Sequence, residues 1–123
     1  MKLLIVDDSG TVRAVVKRCF LRLGVKEADI AEAENGQTAL DHFRSEIIDL
    51  VLTSWKLPVM DGLQLLKEIR RVDLQVPVVM ATTESERHHV ETAIEAGVTD
   101  YLVKPFTLED LKEKIEKWAP ARA

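Results

Sequence analysis

Apolar and polar positions follow two rhythms along this chain: short, nearly solid apolar runs, and longer stretches with an apolar residue every three or four positions. The solid runs Lys2–Val6, Asp29–Ala33, Leu50–Thr53, Pro77–Ala81 and Asp100–Val103 read as strands, the second diluted by Ala and Glu. Between them lie amphipathic stretches. Asp7-Asp8-Ser9 breaks the first run. Ser9 can cap a helix carrying Val12, Val16, Cys19, Phe20 and Leu23, which Gly24 stops. Asn35-Gly36 opens a second helix through about Arg44, with Ala39, Leu40 and Phe43 inward. Pro58 prevents a regular continuation after the third run, and Asp61-Gly62 turns the chain into a third helix, Gly62–Arg71, expected to bury Leu63, Leu66 and Ile69. Glu84–Ala96 is the fourth, with acids in its first turn and Gly97 past its end. Thr107 and Asp110 form a capping box for the last helix, whose stripe is Leu108, Leu111, Ile115 and Trp118.

Five strand-then-helix units joined by short connections imply a parallel sheet with helices on both faces, a doubly wound α/β fold. Strand order 2-1-3-4-5 would gather the ends of strands one, three, four and five. Those ends carry Asp7-Asp8, Ser54, Thr82-Thr83 and Lys104.

Composition narrows the function class. The 123 residues fit one domain, 1–119, with a short tail at 120–123. A net charge of −4 without a run of like charges argues for solubility and against a nucleic-acid surface. The single Cys19 cannot form an internal disulfide, lies on the apolar stripe, and suits a reducing cytoplasm. Leu3–Val6 is too short for a signal-peptide core or a membrane span. A soluble cytoplasmic domain is expected, with no membrane partner.

Each candidate residue has a plain reading beside the functional one. Asp7-Asp8 is a turn and helix cap, or two repelling carboxylates that a divalent cation would reconcile; oxygen ligands of this kind suit magnesium. Thr82 is a strand-end hydroxyl and Lys104 a solvated strand end, or together they face an anion beside that metal. His88 and His89 read as exposed helix residues and lack a second ligand pair for zinc. Ser54 has no activating His motif and no G-x-S-x-G elbow, so it is no convincing hydrolase nucleophile.

Four motifs, Val6-Asp7-Asp8-Ser9, Leu57-Pro58-Val59-Met60-Asp61-Gly62, Ala81-Thr82 and Tyr101-Leu102-Val103-Lys104-Pro105-Phe106, together resemble the receiver domain of two-component response regulators. The layout is similar to the single-domain chemotaxis type, and the resemblance runs from Lys2 to about Trp118. It implies a flavodoxin-like five-stranded sheet of order 2-1-3-4-5 with five helices. It implies Mg2+ on Asp7, Asp8 and the backbone carbonyl of Lys56, with Thr82 and Lys104 at the phosphoryl oxygens. Tyr101 would be the aromatic that changes rotamer with Thr82, and the Lys104-Pro105 bond is often cis in the family. The implied partners are a histidine kinase or phosphotransfer protein, and a downstream target on the helix 4/strand 5/helix 5 face.

One departure outweighs these matches. Counting back from Pro58, the family's phosphoacceptor aspartate falls on Ser54. A carboxylate gives a labile acyl phosphate and also binds magnesium, whereas a serine hydroxyl needs a base and gives a stable ester. The ordinary reaction is therefore expected to fail, magnesium binding to be weak, and the chain not to be an enzyme, although a competent parent would catalyse phosphotransfer to Asp and its hydrolysis. Two explanations stand: a receiver that signals without phosphorylation, or a variant of a competent receiver locked in its unphosphorylated state. A flavodoxin-like cofactor binder is the third class, opposed by the missing Ser/Thr-rich phosphate loop after the first strand.

Overall fold

In the computed structural model, which describes residues 1–83 and 89–119, the apolar runs become strands and the periodic stretches helices. The order is β1 (Leu3–Val6), α1 (Gly10–Arg22), a single 3-10 turn (Glu27–Asp29), β2 (Ile30–Ala33), α2 (Gly36–Ser45), β3 (Leu50–Ser54), α3 (Gly62–Val72), β4 (Val78–Thr82), α4 (Val90–Glu95), β5 (Asp100–Val103) and α5 (Leu108–Trp118). The strands pair in parallel in the expected order, β2-β1-β3-β4-β5. Of the expected fourth helix, 84–88 with its acids and His88 lies outside the described residues. The helix is described from Val90, with His89 as its N-cap.

Alternation along the strands builds two cores, one on each face of the sheet. Leu3, Ile5, Leu50, Leu52, Ala81 and Leu102 meet Val16 and Phe20 of α1 and Leu111 and Ile115 of α5. Leu4, Val6, Val51, Val78 and Met80 meet Ala39 and Leu40 of α2, Leu65, Leu66 and Ile69 of α3, and Ala93 of α4. Each large aliphatic or aromatic side chain fully buried here contributes roughly 1.5–3 kcal/mol. Cys19 packs, partly buried, against the α1–α5 core.

The caps read at Ser9 and Thr107 form, and Asn35 and Asp61 act as caps as well. Ser9, Asn35, Asp61 and Thr107 each accept a first-turn N–H, and Thr107 and Asp110 complete a reciprocal capping box. Gly24 and Gly97 adopt the positive φ expected past a helix end. The inward face of α3 differs from the expectation. Leu63 is only half-buried, and Leu65 is fully buried with Leu66 and Ile69, because α3 packs against α2 as well as the sheet. Phe43 and Trp118 likewise sit partly buried at the margins of their cores.

The segment between β3 and α3 is held at close quarters. The Gly62 N–H donates to the Trp55 carbonyl at 2.7 Å, and a Cβ on Gly62 would collide with the Ser54 carbonyl. The Gly36 N–H donates to the Met60 carbonyl at 3.0 Å, where a Cβ would again have no room. Between these two pins, Val59 takes φ 68°, the left-handed region that β-branched residues avoid.

Candidate functional site

Three of the expected site residues continue the strand alternation by one step. Asp7 follows Ile5, Ser54 follows Leu52 and Lys104 follows Leu102, so all three carry on along the α1–α5 side at the carboxyl edge of the sheet. Asp7 and Ser54 are buried, and the Lys104 side chain is 25% exposed.

Their side chains close a ring. The Ser54 hydroxyl donates to Asp7 Oδ2 at 2.6 Å. Lys104 Nζ donates to the same carboxylate oxygen at 2.9 Å and to Ser54 Oγ at 2.7 Å. The other carboxylate oxygen, Oδ1, accepts the Ser9 N–H at 2.9 Å, an Asx turn that also starts α1. Arg13 Nη1 donates to the Asp7 carbonyl at 2.6 Å while its Nε reaches Glu32 at 3.3 Å, fixing the turn from above. Burial works to raise the Asp7 pKa, but hydrogen bonds from Ser54, the Ser9 N–H and Lys104, with the Lys104 charge, outweigh it and hold the carboxyl below its usual range. Behind Ser54 a cavity of about 10 Å³, bordered by Val12, Val16, Leu52, Ala81 and Phe106, has room for a water but not for a phosphoryl group.

The remaining expected residues are dispersed around this ring. Asp8 is exposed, so the expected pair of carboxylates repelling at a buried strand end is not observed; the turn buries one and releases the other. Lys56 is exposed in the segment after β3. Among the described residues, no three acidic, His or Cys side chains gather as a metal site. Thr82 is buried at the end of β4, opposite Val103, and its carbonyl accepts the Lys104 N–H at 2.6 Å. By alternation Thr82 belongs with Met80, and Tyr101 lies opposite Met80, so Thr82 and Tyr101 share the α3–α4 side of the sheet. Half-buried Tyr101 donates its hydroxyl to the Val90 carbonyl of α4 at 2.8 Å, and burial pushes its phenol pKa up. The Lys104-Pro105 bond is cis.

His89 departs from its expected place on an exposed helix. It is half-buried, with its ring stacked on Trp55 at 5.1 Å between centroids and 16° between planes. That contact joins the segment after Ser54 to the start of α4. No local pattern announces it, since the two residues meet only through the sheet. Arg13 was also missed, although Asp-x-Ser at Asp7–Ser9 is a readable Asx-turn signal.

Comparison with known proteins bears on the family and the fold. The response regulator receiver domain family matches residues 3–116. The chain is 44% identical over 119 residues to the Chemotaxis protein CheY homolog of Campylobacter jejuni, covering 94% of this chain and 90% of that one. It is equally identical, over 119 residues, to the Chemotaxis protein CheY1 of Helicobacter pylori, covering 94% of both. Among solved structures, the chemotaxis response regulator CheY4 of Vibrio cholerae superposes with a TM-score of 0.86 at 29% identity, covering 94% of this chain and 96% of that one. With its parallel sheet of order 2-1-3-4-5, its acidic first strand end and its lysine before a cis proline, the chain belongs to the response regulator receiver domain family.

Proposed function

We propose that this chain is a cytoplasmic receiver of two-component phosphorelay signalling in which Ser54 occupies the phosphoacceptor position, so that aspartyl phosphorylation does not occur. CheY-like receivers interact with histidine kinases and with downstream targets, and receiver domains generally bind Mg2+ at the acidic site. In this chain magnesium is held weakly, because one carboxylate is missing from the set. The observation that carries the reading is the Ser54 hydroxyl, itself buried, which donates to Asp7 and accepts from the partly exposed Lys104 within one ring. Those partners already use its proton and a lone pair, and a neutral hydroxyl offers no anionic oxygen for an acyl phosphate. On this reading the chain is no enzyme and acts by presenting a surface.

That surface is the face of α4, β5 and α5. Ile94 and Val103 are exposed there, and a groove of about 310 Å³ runs past Tyr101, Val103, Pro105, Asp110, Glu113 and Lys114. The Tyr101 bond to Val90 ties it to α4. Within the described residues no helix is long and apolar enough to cross a membrane. The second reading, a variant of a competent receiver locked in the unphosphorylated state, is favoured by the retention of Asp7, Thr82 and Lys104 around Ser54.

A phosphotransfer assay tests the proposal. Incubated with acetyl phosphate and Mg2+, Ser54→Asp should form an acyl phosphate that base hydrolyses, and the unaltered chain should form none. Equal labelling of the two proteins would overturn the reading of the site.

A further inference from the structure

We infer that the Lys104 ammonium is the resident cation of this site, paired to Asp7 in the place where a receiver takes its divalent ion, and that it excludes Mg2+ for as long as the pair is made. The inference rests on the receiver reading and deepens it.

The donor set does not fit magnesium as it stands. Mg2+ asks for octahedral oxygen ligands, usually one or two carboxylates with several waters. Of the two acids at the end of β1, exposed Asp8 takes no part in the buried ring. Asp7 has both oxygens engaged: Oδ1 by the Ser9 N–H, and Oδ2 by Ser54 and Lys104 together. The Ser54 oxygen adds no charge and accepts from the same ammonium.

Charge balance points the same way. Asp7 and Lys104 cancel, so the ring is neutral without any ion. An incoming Mg2+ on Asp7 would displace the ammonium or lie within a few ångströms of it, and like charges at that range repel strongly. Lys104 is well placed to stay. Its backbone N–H is bonded to Thr82, which sets the side chain at the sheet edge beside Asp7. With the ring closed, no buried side-chain nitrogen or oxygen among the described residues is left without a partner. The serine joins two groups that are already a pair.

The test is a Mg2+ titration, read by calorimetry and by Trp55 fluorescence, on the unaltered chain and on Lys104→Met, Ser54→Ala and Ser54→Asp. Metal-free thermal melts check that each is folded; Lys104→Gln is read instead if Lys104→Met gives no cooperative melt. The unaltered chain should show no saturation in the range that saturates Ser54→Asp. Removing the ammonium should tighten Mg2+ binding by on the order of tenfold or more. Ser54→Ala, which keeps the ion pair, should behave like the unaltered chain. Lys104 is not the resident cation if its removal leaves Mg2+ affinity unchanged, or if Ser54→Ala alone opens the site. If Lys104→Met binds Mg2+ and Ser54→Asp does not, the reading of Ser54 as the phosphoacceptor position beneath the inference is overturned instead.

Discussion

Asp7 is where the stability and the chemistry of the site meet. Its folded-state pKa lies below the ordinary 3.8, so the favourable contribution of its contacts is whole above that value and is lost as pH falls through the depressed one. Asp7→Asn should destabilise the protein by about 2 kcal/mol near neutral pH, since it strands the Lys104 ammonium and weakens the Ser54 bond. Denaturation at a series of pH values should show that gap closing as pH drops below 3.8. A gap that persists unchanged into acid would mean that the carboxylate charge is not what stabilises the site. Val59 offers a contrasting case, a cost held in the backbone alone. At φ 68° and with its side chain exposed, it carries strain that backbone hydrogen bonds hold in place, among them Met60 N–H to the Pro58 carbonyl at 2.7 Å, and its own side chain offsets none of it. Val59→Asn should therefore raise stability by about 1 kcal/mol in chemical denaturation.

Elements were legible in the sequence where their cause is local. The five apolar runs, the caps at Ser9 and Thr107, and the stops at Gly24 and Gly97 are set by nearest neighbours, and they appear as read. What escaped the sequence depends on a second element. The inward face of α3 turned to Leu65 because α2 lies beside it, and the Trp55–His89 stack exists only because β3 and β4 are adjacent. The site was legible in its members, through the strand-end rule, and not in its wiring. That Asp8 faces solvent and that Asp7 Oδ1 is engaged follow from the geometry of one turn, while Oδ2 is engaged by side chains from the ends of β3 and β5. Arg70 shows the same limit. From α3 it reaches the carbonyls of Gly97 at 2.9 Å, Asp73 at 3.1 Å and Val76 at 2.8 Å, and Thr99 Oγ1 at 3.2 Å, stapling both flanks of β4. Arg70→Met keeps the aliphatic stem and loses those bonds, so a loss of roughly 2–3 kcal/mol is expected. A melt within a degree of the unaltered chain would show the staple to be decorative.

At the scale of the whole molecule, a buried neutral ring lies on the α1–α5 side of the sheet, and the Thr82–Tyr101 pair lies on the other. The proposed partner face runs from that second side, at α4 and Tyr101, around the β5 edge of the sheet to α5, so the surface and the ring occupy different parts of the molecule. For a partner bound at this face, Tyr101→Ala with Lys112→Glu should weaken affinity at least about tenfold, as loss of an aromatic anchor and reversal of a charge would. Unchanged binding would place the partner elsewhere. The central claim is that Ser54 completes a site needing neither phosphate nor metal. Chemical denaturation of the unaltered chain and Ser54→Asp, each with and without Mg2+, tests it most directly. Without metal the unaltered chain should be more stable by about 1 kcal/mol, because a second carboxylate would face Asp7 where a hydroxyl now donates to it. Added Mg2+ should then raise the stability of Ser54→Asp alone. If Ser54→Asp is as stable or more so without metal, or if Mg2+ stabilises both proteins equally, the account of the site is contradicted.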